Sequence, residues 1–185
     1  MLYGIRWCSA SFERTNRTAR KTWHGNNHSN LDKLMEPPPK TPASGPRTAA
    51  GDYIILNKQR KHAINAPNVR GFLSSLLPAL GVENRSFAVV FITDENMRAY
   101  NRAYRGFDKP TDVLSFPGEQ GYLGDILISS ETAYNQARES STLSFETNIR
   151  RLILHGLLHL MGYDHEADRG EMRTIERRLR RRFKC

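Results

Sequence analysis

Apolar residues are spaced differently on either side of residue 51. Ahead of it, "ERTNRTARKTWHGNNHSN" is polar and aperiodic, and "EPPPKTPASGPRTAAG" is a Pro/Gly/Ser/Thr linker. Neither stretch buries enough apolar surface to offset the entropy of ordering it. Residues 1–50 are therefore expected to form a disordered or weakly ordered basic extension, and residues 51–185 a single domain. Beyond the boundary, short apolar runs alternate with helical periods. "YIILN" (53–57), "SFAVVFI" (86–92), "TDVLSFP" (111–117) and "LGDILIS" (123–129) predict four strands, bounded by proline and glycine signals.

Helices are predicted between and after these strands. "NVRGFLSSLLPAL" (68–80) is closed by Gly81, and Thr93 or Asp94 caps a helix through 95–104. Ser130 is expected to cap another, running to about Arg138. Ile149, Leu152, Ile153, Leu157 and Leu160 recur at helical spacing within 144–161, the strongest period in the chain. A last helix is expected from about Asp168 to Arg182. The fold class read from this order is α+β: one domain, a small mixed sheet of about four strands, and four to five helices. A metal site is expected at the end of a central helix.

Charge adds a partner class. The net charge of +9 favours a polyanion such as nucleic acid. Residues 1–50 hold eight Lys/Arg against three Asp/Glu, and "RTIERRLRRRFKC" at the other end holds six arginines and a lysine. Cys8 and Cys185 suggest no disulfide framework, so a reducing compartment is expected. No apolar run approaches the roughly 20 residues that cross a membrane. The N-terminal segment shares its Arg/Ser/Thr richness with organellar transit peptides but lacks an amphipathic helix pattern. A cytoplasmic location is expected, with organellar targeting the alternative.

Candidate chemistry concentrates in "HGLLHLMGYDH" (155–165). On a helix His155 and His159 lie one turn apart on one face, and Gly162 can turn the chain back so that His165 supplies a third nitrogen. Three imidazoles and an open fourth position describe a catalytic zinc site. Zinc peptidases of the H-E-x-x-H type carry their general base directly after the first histidine, and here Gly156 stands there. Asp125, Asp164 and Glu166 are the candidate substitutes, as bases or as carboxylates orienting the histidines. The second unusual block, "NRAYRGFDKPTDVLSFPGE" (101–119), sets Arg102, Arg105 and Lys109 beside Tyr104 and Phe107. Guanidinium forks clamp phosphates and aromatic rings stack on unpaired bases.

Together, "YRGFDKPTDVLSFP", "GDILIS" and "HGLLHLMGYDH" resemble the YbeY family of ribosomal RNA maturation factors over residues of about 53–182. The histidine block follows the family's H-G-x-L-H-L-x-G-Y-D-H pattern at every fixed position. The resemblance implies a zinc-dependent endoribonuclease with one Zn2+ per chain, acting on single-stranded RNA. It also implies a part in 3′-end maturation of small-subunit ribosomal RNA and in ribosome quality control, with the small ribosomal subunit as partner. It makes His155, His159 and His165 the metal ligands and Arg105 the functional arginine. Tyr104, Lys109, Arg178 and Arg181 are candidate RNA contacts. No DNA or membrane partner is expected. Two other classes fit parts of the pattern: a non-catalytic ribosome-assembly factor with a structural zinc, and a zinc metalloprotease lacking its usual base.

Overall fold

A computed structural model describes residues 53–118, 122–164 and 169–185. The expected extension 1–50 lies outside these, as do His165, Glu166 and Asp168. The elements in chain order are β1 (Tyr53–Asn57), α1 (Ala66–Leu80), β2 (Ser86–Ile92), α2 (Asp94–Arg105) and β3 (Val113–Pro117). They continue with β4 (Tyr122–Ser129), α3 (Ser130–Glu139), α4 (Phe145–Leu160) and α5 (Glu171–Phe183). The four strands make one sheet in the order β1-β2-β4-β3, with β1, β2 and β4 parallel and the edge strand β3 antiparallel to β4. This is the single α+β domain with a small mixed sheet that the apolar pattern predicts. None of the described helices is long and apolar enough to cross a membrane.

The near-continuous apolar runs of β2 and β4 follow from burial on both faces. Phe87, Val89, Phe91, Ile126 and Ile128 point to one side, where they pack with buried residues of α1, α4 and α5. Ala88, Val90, Ile92 and Leu127 point to the other and pack under Met97 of α2. Helix α4 therefore lies in the larger core and α2 over the smaller one, with the sheet between them.

Local capping chemistry moves several boundaries from those read in the sequence. Helix α1 starts two residues earlier than expected because Asn65 caps it, its side chain accepting from the backbone N–H of Asn68 at 3.0 Å. Of the two caps expected for α2, Thr93 is the one used, and Asp94 is the first helical residue. The cap of α3 is Ser129 rather than Ser130, which is the first helical residue and is buried. Thr111 and Asp112 precede β3 instead of belonging to it. The Asp112 carboxylate accepts from the N–H of Val113 and from Gln136 Nε2, each at 2.9 Å, and so fixes the entry to the strand. Helix α5 begins at Glu171, not Asp168, because Gly170 adopts a left-handed φ of 99° and interrupts the helical path.

Candidate active site

Helix α4 is placed by its apolar stripe. Ser144 caps it, and Ile149, Leu152, Ile153, Leu157 and Leu160 are all buried, as their spacing predicts. A buried stripe fixes the helix's rotation, and the rotation sets which way its histidines point. His155 is buried, and His159, one turn on, is half-buried. Their Nε2 atoms converge to 3.1 Å.

The other nitrogen of His155 is held as well. Its Nδ1 lies 3.2 Å from Oε1 of Glu176 on α5. An ionised carboxylate only accepts, so the proton sits on Nδ1 and the Nε2 lone pair is left facing His159. Burial alone would push the Glu176 carboxyl up. The hydrogen bond from His155, together with the hydrogen bond and charge of Arg180 at 2.6 Å, outweighs burial and holds the carboxyl below its usual range.

This arrangement fits a zinc ion. Two nitrogens each about 2.05 Å from a tetrahedral zinc are separated by about 3.3 Å, close to the gap between the two rings. A carboxylate on the far nitrogen of a ligating histidine is the usual means of fixing its tautomer and orientation. Among the described residues no third His, Cys, Asp or Glu completes a metal-holding group with this pair. His165, the third expected ligand, lies outside them. Helix α4 ends as its glycine predicts: Gly162 has a φ of 90°, and its N–H donates to the His159 carbonyl at 2.9 Å. Asp164 follows, half-buried.

Gly156 has a packing role. A Cβ built there would lie 2.7 Å from Ile126 Cγ2 and 3.1 Å from Ser115 Oγ, so α4 touches the sheet at this position. The Ser115 hydroxyl donates to the Gly156 carbonyl at 3.3 Å. A side chain at 156 would enter the core between α4 and β4, turned away from any substrate.

The arginine block lies beyond β3. Arg105 is the last residue of α2, with its guanidinium 5.6 Å from the ring centroid of Phe107. Asp108 engages Arg98 at 2.6 Å and Arg102 at 3.5 Å. Lys109 is exposed, and its carbonyl accepts from Asn101 Nδ2. Tyr104 stacks on Tyr100 and meets the edge of Phe116, with centroids 6.2 and 4.9 Å apart. Tyr104 and Phe107, 50% and 45% exposed, are the large apolar side chains most open to solvent among the described residues. Ser115 and Phe116, neighbours in β3, face opposite ways, Ser115 toward α4 and Phe116 toward α2. Helix α4, through Gly156, and the aromatic residue Tyr104 thus meet β3 on its two faces.

Asp125 lies on the α2 face of the sheet. It pairs in register with Ala88 and Phe116, and strand alternation turns it to the α2 side, opposite the histidines. The Tyr122 hydroxyl donates to its Oδ1 at 2.6 Å. Burial pushes its carboxyl above the ordinary value of 3.8, with the Tyr122 bond opposing that shift only in part. Ionising Asp125 therefore costs the folded state, and stability falls as pH rises from 3.8 through the raised folded value. Asp125→Asn should remove that loss. Thermal melts should show the variant gaining on wild type between pH 3 and pH 7. A wild type that gains on the variant over this window would mean that the folded state prefers the charged carboxylate.

Glu176 escapes sequence reasoning, although a signal was present. It is the one acid within "RTIERRLRRRF", and it sits on the α5 side that also carries the buried Met172 and Leu179. Arg178 and Arg181 are exposed on the same helix.

The model of the family described as endoribonuclease YbeY matches residues 54–184. An endoribonuclease YbeY of Aquifex aeolicus is 45% identical over 117 residues, covering 60% of this chain and 77% of the relative. Those of Koribacter versatilis and Geobacter metallireducens are 42% and 38% identical, covering 71% and 70% of this chain and 86% and 91% of theirs. A protein of Thermotoga maritima solved in solution superposes with a TM-score of 0.51 at 26% identity, over 68% of this chain and 85% of that one. With the match spanning the whole described domain, this chain belongs to the YbeY endoribonuclease family.

Proposed function

We propose that the chain is a metal-dependent endoribonuclease that cuts single-stranded RNA in the cytoplasm. In this reading it matures the 3′ end of small-subunit ribosomal RNA and takes part in ribosome quality control. The observation that carries the metal part is the His155–His159 pair with Glu176 behind it. His155, His159 and His165 would hold one zinc ion, which would supply Lewis acidity toward a phosphodiester oxygen. Glu176 keeps the His155 proton on Nδ1 and the ring aimed. Arg105 binds the phosphate and offsets the charge that accumulates on it during cleavage. Tyr104 and Phe107 offer exposed ring faces to unpaired bases, which favours single strands over duplex. Lys109, Arg178 and Arg181 add attraction for the backbone.

Gly156 weighs against a peptidase reading, because position 156 faces the sheet. The test of the proposal is cleavage of a single-stranded ribosomal RNA fragment and of its duplex, with and without a chelator, by wild type and Arg105→Ala. Single-strand cutting that the chelator abolishes, and that falls by about a hundredfold or more in the variant, is expected. A cyclic phosphate on the upstream product would assign the attack to the RNA 2′-hydroxyl, and a 3′-hydroxyl upstream with a 5′-phosphate downstream would assign it to water. RNA binding without any cutting would replace the enzyme with an assembly factor.

A further inference from the structure

Five arginines gather around Glu176 and line a space open to solvent. Arg151 of α4 and Arg173, Arg177, Arg180 and Arg181 of α5 line an open cavity of about 430 Å³, with Cys185 in its wall and Glu176 its one acidic side chain. That carboxylate is already engaged by Arg180 and by His155. Arg151, Arg173, Arg177 and Arg181 make no ion pair among the described residues. Arg173, Arg177 and Arg181 follow one another at i, i+4 and i+8, so like charges stack along one face of α5, which destabilises a helix. A surface helix needing only solubility would interleave acids at these positions. The guanidinium donors of Arg173, Arg177 and Arg181 are open to water and to an anion entering from outside.

We infer that this cavity is a second phosphate subsite for the RNA strand, built by α4 and α5 behind the histidine pair. The inference rests on the proposed RNA substrate and deepens it. Glu176 forms both the wall of the cavity and the support of His155, so a strand seated on the arginines lies one side chain away from the histidines. Planar guanidinium forks suit phosphodiester oxygens. The subsite thereby holds a backbone phosphate away from the bond being cut, and sets how the strand lies across the histidine pair.

The test compares Arg177→Gln/Arg181→Gln with Arg60→Gln/Arg138→Gln, which loses the same charge from exposed positions elsewhere. Affinity for a short single-stranded RNA is measured by fluorescence anisotropy across a salt series in chelator, and cleavage is assayed separately. The cavity variant is expected to bind about tenfold or more weakly than the control. Its slope of log affinity against log salt should be shallower by about 0.7 for each phosphate that is no longer neutralised. Equal affinity and slope in the two variants, with a wild type that binds and cuts, would overturn the subsite and leave the proposed function standing. A wild type that neither binds nor cuts RNA would overturn both. Inorganic phosphate that raises the wild-type Tm but not the variant's, with RNA affinity unchanged, would assign the cavity to the free anion and likewise overturn the RNA assignment.

Discussion

A Gly156→Glu variant, which restores the H-E-x-x-H order of zinc peptidases, is expected to lose its fold and gain no peptidase activity. The new Cβ would stand 2.7 Å from Ile126 Cγ2 and 3.1 Å from Ser115 Oγ, both contributed by the sheet under α4. Overpacking of this kind costs about 1–3 kcal/mol. The carboxylate would then enter a core of Ile126, Ile153 and Leu157 with no cation to meet it, adding a penalty of several kcal/mol. Against a total stability of about 5–15 kcal/mol for an ordinary domain, the sum is enough to unfold much of the population. Circular dichroism melts would show it as a strongly lowered or absent transition. Gly156→Ala is the milder comparison, since about 1 kcal/mol of helix propensity partly offsets the clash. A glutamate variant melting at the wild-type temperature would mean that Ile126 and Ser115 give way, and the packing account of Gly156 would fail.

His159→Ala carries the second large effect. It removes one of the two nitrogens that converge at 3.1 Å, and zinc content is expected to drop from about one per chain to nearly none, with RNA cutting abolished alongside. Glu176→Gln separates positioning from ligation. The amide can still accept from His155 Nδ1 through its oxygen but brings no charge, so metal affinity should fall about ten- to a hundredfold. Added zinc should then restore cutting in Glu176→Gln and leave His159→Ala inactive. Retention of zinc and activity by His159→Ala would remove the histidine pair from the mechanism.

Much of this site is legible in sequence because its signals are local. His155 and His159 are one turn apart in the most strongly periodic segment of the chain, and the apolar stripe that predicts the helix also fixes the face on which they emerge. Gly162, the four strands and the cap at Thr93 are local in the same sense, since turn and cap geometry depends on a few adjoining residues. Tyr104 at the arginine-rich end of α2 and Phe107 in the loop after it are three residues apart in the chain, so their proximity is local as well.

What escaped depends on residues far apart in the chain. Glu176 meets His155 across 21 positions, and only the packing of α5 on α4 brings them together. Asp125 reads in the sequence as a candidate partner of the histidines, yet strand register turns it to the other side of the sheet, since a strand's side chains alternate faces. Gly156 reads in the sequence as a missing base and in the fold as a contact with Ile126 and Ser115. The amino-acid sequence by itself determined the elements, the histidine pair and the arginine-rich ends, because these follow from periodicity and composition. Tertiary structure alone decided which carboxylate supports the histidines, which faces away, and that five arginines of two helices surround one cavity, because each of these is set by how separate elements pack.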